Sequence, residues 1–320
     1  MLVVAVRTLD WTLAKGPLVR HLRPANSSPS TIMDALDLTS NFRGHGWELS
    51  RLKRSYIPCE TRPTNRVAFA FSTFISAVAH ALICGALHRA ILTLAPVRIG
   101  PILERSTIFD DTLPFPLRYL RATIISTLSA LTTYAFVQMV YDLCTIPAIL
   151  VLGHDPVQWP PPFDAPWRAT SLRNFWGRRW HQFFRHIFVL GVYPLSFVLG
   201  GASLAIGPFL ASASLHHIAL MALNSRLEIW WMFVGFGMMG PGILAEWVFQ
   251  RWTGRRVGGV VGWVWTMMWL ALWGNLLIEG AARAGVFVST RPVDSALPVR
   301  ISVEHSMKDF DEWLHTLLPM

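Results

Sequence analysis

The sequence predicts an all-α, polytopic membrane helix bundle of about six transmembrane helices, and three observations carry that prediction. Charged residues are 15% of the 320, against roughly a quarter in soluble domains, too few to cover a water-facing surface. Hydrophobic residues reach 52% and the mean hydropathy is +0.40. The apolar residues fall in runs longer than the about 20 that cross a bilayer, and basic residues stand beside those runs. The net charge of +9, from 28 Lys and Arg against 19 Asp and Glu, therefore reads as a topology signal and a contact to anionic lipid. Nothing in the sequence has zinc-finger or other nucleic-acid-binding spacing.

Taken in order, residues 1–66 form a basic cytosolic or interfacial segment containing Arg7, Lys15, Arg20, Arg23, Arg43, Arg51 and further basic residues up to Arg66. Apolar residues between Leu2 and Leu22 suit a weakly amphipathic interfacial helix, and equally a plain cytosolic segment. Only about five apolar residues precede Arg7, too short for a signal-peptide core, so insertion falls to the internal spans. The transmembrane domain runs over 67–285, and residues 286–320 form a polar tail. The first span covers 67–95 and the second 121–151, where Pro147 is expected to kink the helix or end its regular part.

Residues 153–170 carry five prolines and form a loop. Ser171 then offers an N-cap to a helix over 171–186. The apolar stretch from Ile187 to Leu223 suits two short helices, or one span plus a re-entrant piece, with a break marked by Gly200, Gly201, Gly207 and Pro208. Further spans follow at 229–249 and 258–280. With the N-terminal segment and the 168–185 region cytosolic, a count of six puts the basic turn RWTGRR, 251–256, on the lumenal side, against the positive-inside rule.

Three polar clusters are candidates for chemistry. In SLRNFWGRRWHQFFRH, 171–186, a helical reading puts Trp176 and Trp180 on one face and Gly177 one turn before His181, with Arg178, Arg179 and Arg185 around them. Tryptophan suits a membrane interface and arginine suits phosphate, so this is a mouth for an anionic ligand or, on the plainer reading, an interfacial anchor. In FLASASLHHIALMAL, 209–223, His216 and His217 lie inside an apolar run, where ionisable groups are costly and point to function. Ser212 is one turn before His216, and Ala213 and Ser214 are small. A histidine that titrates near neutrality suits a general base; the alternative is a packing histidine. In NFRGHGWELS, 41–50, two glycines flank His45 between Arg43 and Trp47, either a tight turn near a ligand or an ordinary loop.

Asp142, Glu246, Asn275 and Glu279 are expected to pair within the bundle in structural roles, and His80 and His88 to pack. Cys59, Cys84 and Cys144 have neither metal-ligand nor disulfide-framework spacing. The run HSMKD, 305–309, has a His-x-x-x-Asp spacing found in soluble acyltransferases. It lies in the polar tail, Phe310 follows where that family has glycine, and the second motif is missing.

SLRNFWGRRWHQ closely resembles the signature of the fungal wax synthase-like branch of the membrane-bound O-acyltransferases. NFRGHGWELS resembles that branch's Arg-Gly-Ile-Gly-Trp-Asn segment, and SASLH, 212–216, its Ser-Gly-x-x-His motif. The motifs cover about 41–224, and the later spans match by hydropathy. His45 stands where the family has isoleucine, Glu48 where it has asparagine and Ala213 where it has glycine. Family members usually have further N-terminal spans, so the expectation is either a shortened form or a shortened gene model.

The resemblance implies His216 as the catalytic histidine, with His181 at the position of the second polar group, an asparagine in plant relatives. It implies transfer of an acetyl group from acetyl-CoA, a co-substrate rather than a bound cofactor, to a hydroxyl of a terpenoid or meroterpenoid at a multi-pass endoplasmic reticulum membrane. Ser212, Trp180, Arg178 and Arg179 are the expected substrate-binding residues, and no metal is required. A long-chain wax-ester synthase and a non-catalytic membrane protein or inactive paralogue are the competing expectations.

Overall fold

In the computed structural model, the residues described are 8, 11–12, 16–21, 23, 30–40, 46–47, 58–94, 97–98, 106–183, 188, 192–224, 227–289 and 302–316. Of the expected interfacial helix between Leu2 and Leu22, Thr8, Trp11 and Thr12 are helical and residues 16–21 are not; its other residues, with Arg43, His45, Glu48 and Arg185, lie outside those described. Helix α1 is Thr31–Ser40 and α2 Arg66–Thr93. A two-residue antiparallel ladder pairs β1, Val97–Arg98, with β2, Ser106–Thr107. Then come α3, Phe115–Leu150; α4, Leu172–Asn174; α5, Val192–Leu199; α6, Ser203–Met221; α7, Trp230–Gly237; α8, Met239–Thr253; and α9, Gly259–Arg283. Short α10, Val286–Ser289, and α11, Ser302–Thr316, complete the order.

Among the described residues five helical stretches are long and apolar enough to cross a membrane: Arg66–Thr93, Phe115–Leu150, Pro194–Met221, Trp230–Thr253 and Gly259–Arg283. The count differs from six because the stretch after Ile187 makes one span. The expected break narrows to a 3-10 turn at Gly200–Ala202, where Gly200 takes a left-handed φ of 50°. Gly207 and Pro208 sit inside α6. Pro147 likewise lies within α3, which continues to Leu150. The helix then ends at Gly153, whose φ of +65° is the left-handed conformation glycine adopts without strain.

The spans are inside-out by soluble standards. On α2 the buried residues Phe69, Ala70, Thr73 and Ala77 recur at helical spacing, whereas Phe71, Phe74, Ile75 and Val78 are exposed. Lipid tails accept such a face, and small buried residues allow close helix approach. Asn65 caps α2, its side chain accepting from the amides of Val67 and Ala68 at 3.0 and 3.2 Å.

Contacts within the chain form two compact units. The first comprises Met1–Ala77, Val140–Ala211 and Ile243–Thr266, the second Val78–Met139, Ser212–Gly242 and Met267–Met320. In the first, Asp142 is fully buried and accepts from Ser76 Oγ at 2.6 Å, with the Arg62 guanidinium at 3.9 Å. Arg62 also donates to Glu60 and to the Trp159 carbonyl, each at 2.7 Å. In the second, Ile91, Leu94, Ile108, Ala122, Ile125, Ala282 and Phe287 form the core. Glu279 accepts from the Ile108 amide and Thr107 Oγ1 and from Arg283 Nε at 2.6 Å. Asn275 donates to Thr123 Oγ1 at 3.1 Å. Asp142 and Glu279 thus have the structural partners that a polar group needs at membrane depth, whereas Asn275 is paired through Nδ2 and its buried Oδ1 has no hydrogen-bond partner among the described residues.

Candidate active site

The first unit holds the Ser171–Gln182 motif. Ser171 caps it as its sequence predicts, Oγ accepting from the Asn174 amide at 2.9 Å. The cap does not open the helix predicted over 171–186. Only Leu172–Asn174 are α-helical, and Phe175–Arg179 widen into a π-turn. The Trp180 amide donates to the Phe175 carbonyl at 2.8 Å, and Trp180 itself is extended. Tertiary bonds supply the reason. The Arg179 carbonyl accepts from the Asp164 amide at 3.0 Å, and Gln182 Nε2 donates to the Trp176 and Trp180 carbonyls at 3.0 and 2.7 Å. These partners replace those a continued helix would offer. Single π-turns of this kind recur at functional sites.

The turn gathers aromatic rings around His181. Its imidazole lies edge-on to Phe163 at 5.9 Å and stacks on Phe183 at 5.8 Å, with Trp180 at 5.6 Å. Trp180 stacks on Phe175 at 5.4 Å, and Trp176 lies 6.3 Å from Trp180. The two tryptophans meet as expected, but through the π-turn. Gly177 no longer stands one helical turn from His181, although a side-chain carbon there would meet nothing within 4 Å.

The structure separates the two arginines that the sequence pairs. Arg178 is exposed. Arg179 is committed to the loop: Nε donates to Asn174 Oδ1 at 2.7 Å, and Nη1 to the carbonyls of Asp164 and Ala165 at 2.8 and 3.3 Å. Ala165 is the residue other than glycine with a positive φ, 40°, among those described, so Arg179 holds a strained corner.

Two later helices grip this segment. The Glu246 carboxylate, on α8, accepts from the amides of Leu172 and Arg173 at 2.5 and 3.1 Å. It also accepts from Trp265 Nε1 at 3.1 Å. Trp263 Nε1 donates to the Trp167 carbonyl at 2.8 Å, and Gly262 abuts the Thr170 carbonyl. Sequence reasoning assigned Glu246 only a pairing role. A lone acidic residue in an apolar span was its signal, but nothing local names a partner 74 residues away.

The third motif is described at Gly46 and Trp47. Trp47 Nε1 donates to Asp37 at 2.5 Å, and the buried Arg20 donates to Asp34 and Asp37 at 3.2 and 3.0 Å. His154 lies 4.0 Å from Asp37, and its Nδ1 accepts from Trp159 Nε1 at 3.3 Å. Burial pushes the His154 imidazole below its ordinary value of 6.5; Asp37 acts the other way and Arg20 reinforces the shift. This Arg-Asp-Trp-His group was missed at the sequence level; the i, i+3 spacing of Asp34 and Asp37 on one helix face was its visible trace.

The second unit holds the histidine pair. On α6, His216 is exposed and His217 buried, as the roughly 100° between successive helical side chains requires. His216 Nδ1 lies 2.8 Å from the Ser212 carbonyl oxygen and 3.4 Å from Ser212 Oγ. A carbonyl only accepts, so Nδ1 carries the proton and donates. Nε2 is then left with its lone pair, the state a base requires. The imidazole rests against Phe236 at 4.6 Å. His217 Nδ1 has no hydrogen-bond partner among the described residues. Ser212 is buried, and the Ala213 methyl, where the resembling family has glycine, is fully enclosed.

Comparison with known proteins gives this geometry a context. Residues 159–236 match the family model described as the membrane bound O-acyl transferase family, a stretch that includes both the π-turn and His216. Acetyltransferase spyB of Aspergillus fumigatus is 27% identical over 168 residues, 43% of this chain and 28% of that protein. Acetyltransferase ple2 of Rhodocybe pseudopiperita is 25% identical over 283 residues, 78% of this chain and 67% of the relative. A probable long-chain-alcohol O-fatty-acyltransferase of Arabidopsis thaliana is 26% identical over 173 residues, 50% of this chain and 49% of the relative. The chain therefore spans less than a third of the first of these. No solved structure matches it. Both motif segments lie inside the stretch that is similar to the membrane bound O-acyl transferase family.

Proposed function

We propose that this chain is an acyl-CoA-dependent O-acyltransferase that moves an acetyl group from acetyl-CoA to a hydroxyl of a lipophilic secondary metabolite of terpenoid or meroterpenoid type. The observation that carries the reading is His216: an exposed imidazole within an apolar span, its Nδ1 proton committed to the Ser212 carbonyl at 2.8 Å and its Nε2 left as a base. Nε2 takes the proton of the acceptor hydroxyl, and the oxygen attacks the thioester carbonyl carbon. The tetrahedral intermediate collapses with cleavage of the carbon–sulfur bond, and the imidazolium returns its proton to the leaving CoA thiolate. A positioned base contributes roughly 10²–10⁴-fold. By the family resemblance His181 is the candidate oxyanion donor, a role worth roughly 10²–10³-fold, with Trp180 and Ser212 as candidate substrate-binding residues.

Arg178, exposed on the π-turn, meets the CoA phosphates; Arg179 supports the corner behind it. Five crossings put the segment before Arg66, the loop holding the π-turn and the turn with Arg255 and Arg256 all on one side. That side is the more basic and therefore cytosolic, where acetyl-CoA is available. The topology is that of a multi-pass membrane protein; the endoplasmic reticulum is the proposed membrane, with the lipophilic acceptor arriving through the bilayer.

A second reading, a long-chain acyl donor with a fatty alcohol, is favoured by the name of the plant relative. Microsomes carrying the chain, given labelled acetyl-CoA or palmitoyl-CoA with a lipophilic alcohol extract, decide between the two. Ester formation from acetyl-CoA that needs His216 is the expected result. Preference for palmitoyl-CoA supports the second reading, and no transfer from either donor overturns both.

A further inference from the structure

We propose that Glu246 is the positioning residue that fixes the π-turn, and with it His181 and Arg178, to the membrane-spanning part of the first unit. The inference rests on the acyltransferase reading for what the turn does, and on the geometry alone for the anchoring.

A carboxylate in a spanning helix loses hydration that only donors around it can replace. Glu246 is buried, and its donors are the amides of Leu172 and Arg173 and the Trp265 indole. The first amides of a helix have no partner within it, so the carboxylate and the start of α4 satisfy one another.

The turn needs an external hold. Its α-helical part is three residues, Leu172–Asn174, before the π-turn begins. A single turn fixes many dihedrals for few hydrogen bonds and does not persist unaided. Ser171, Arg179 and Gln182 brace it from within its own segment and move with it. Trp263 holds the chain upstream, at Trp167. Glu246 bonds the turn itself from another helix. A small slip at the start of α4 carries straight through to the imidazole of His181.

The experiment compares wild type, Glu246→Gln, Glu246→Ala and Trp265→Phe, purified in detergent, by hydrogen exchange and by acyl-transfer kinetics. Glu246→Gln keeps the shape but turns one acceptor into a donor facing an amide. Exchange of the amides of Leu172 and Arg173 is expected to rise at least about tenfold while α8 is unchanged. In the same variant kcat falls at least about tenfold with donor KM altered much less, the pattern of a misplaced reacting group. Glu246→Ala is expected to lose more.

Unchanged exchange at those amides overturns the anchoring. Faster exchange with kcat per folded molecule kept at the wild-type level overturns the positioning role. If both Glu246 variants fail to fold, Trp265→Phe, which removes one donor from the carboxylate and leaves the residues of the turn unaltered, must show the same two effects in smaller measure, and their absence overturns the proposal. A wild type without acyl transfer, in which the exchange arm behaves as expected, sinks the acyltransferase reading and leaves the anchoring intact.

Discussion

Replacing Gly262 by alanine displaces the segment that leads into the π-turn by an amount that the structure fixes. The added carbon would sit 2.3 Å from the Thr170 carbonyl oxygen, with Val257 Cγ1 at 3.2 Å and the Val257 carbonyl carbon at 3.3 Å behind it. Carbon–oxygen contacts settle at about 3.3 Å, so roughly 1 Å of movement is required. Backbone lies both ahead and behind, so no flexible side-chain tip absorbs it. Overpacking of this kind costs about 1–3 kcal/mol. Thr170 precedes the Ser171 cap, and a shift of about 1 Å at reacting groups lowers turnover by up to roughly 10²-fold. Gly274 on the same helix is the control: a carbon there meets nothing within 4 Å, and its alanine variant gains up to about 1 kcal/mol from helix propensity. Thermal unfolding in detergent and kcat per folded molecule are measured on both. A Gly262→Ala protein with the stability and turnover of wild type would refute the tight contact and the coupling drawn from it.

The same geometry sets expectations for other residues. His216→Ala lowers acyl transfer by at least about 10²-fold with insertion intact, whereas His217→Ala, at a buried ring, changes stability more than turnover; an active His216→Ala in microsomal assays refutes the assignment of the base. Arg178→Ala raises the donor KM more than it lowers kcat, since a phosphate contact is made equally in ground and transition states. Arg179→Ala destabilises the fold instead, each charged hydrogen bond it loses being worth about 1.5–3 kcal/mol, and equal KM effects from the two variants would contradict this division. The depressed imidazole of His154 makes stability pH-dependent: the unfolded chain takes up the proton first, so stability is full above 6.5 and is lost as pH falls from there through the folded value. His154→Gln flattens that part of the unfolding profile, and an unchanged slope would place the titration elsewhere.

The sequence by itself determined the membrane class, the positions of the spans and the two motif segments, because each is a local property. A run of apolar residues has nowhere to go but lipid, Ser171 caps whichever turn it begins, and successive residues on a helix must diverge, which separates His216 from His217. Tertiary structure decided the rest. Whether the stretch after Ile187 makes one span or two depended on Gly200 taking a left-handed turn that lets α6 continue. The helix predicted after Ser171 became a π-turn because Asp164 and Gln182 offer its backbone better partners than its own next residues do. Arg178 and Arg179 look alike in sequence, yet one is exposed and the other is bound into a strained corner. Glu246 reads as one more polar residue in a span until folding brings it to the amides of Leu172 and Arg173, 74 and 73 residues earlier in the chain. Periodicity and capping act over a few residues and so can be read directly. The partner of a buried charge is chosen by packing between distant segments, which no local pattern records.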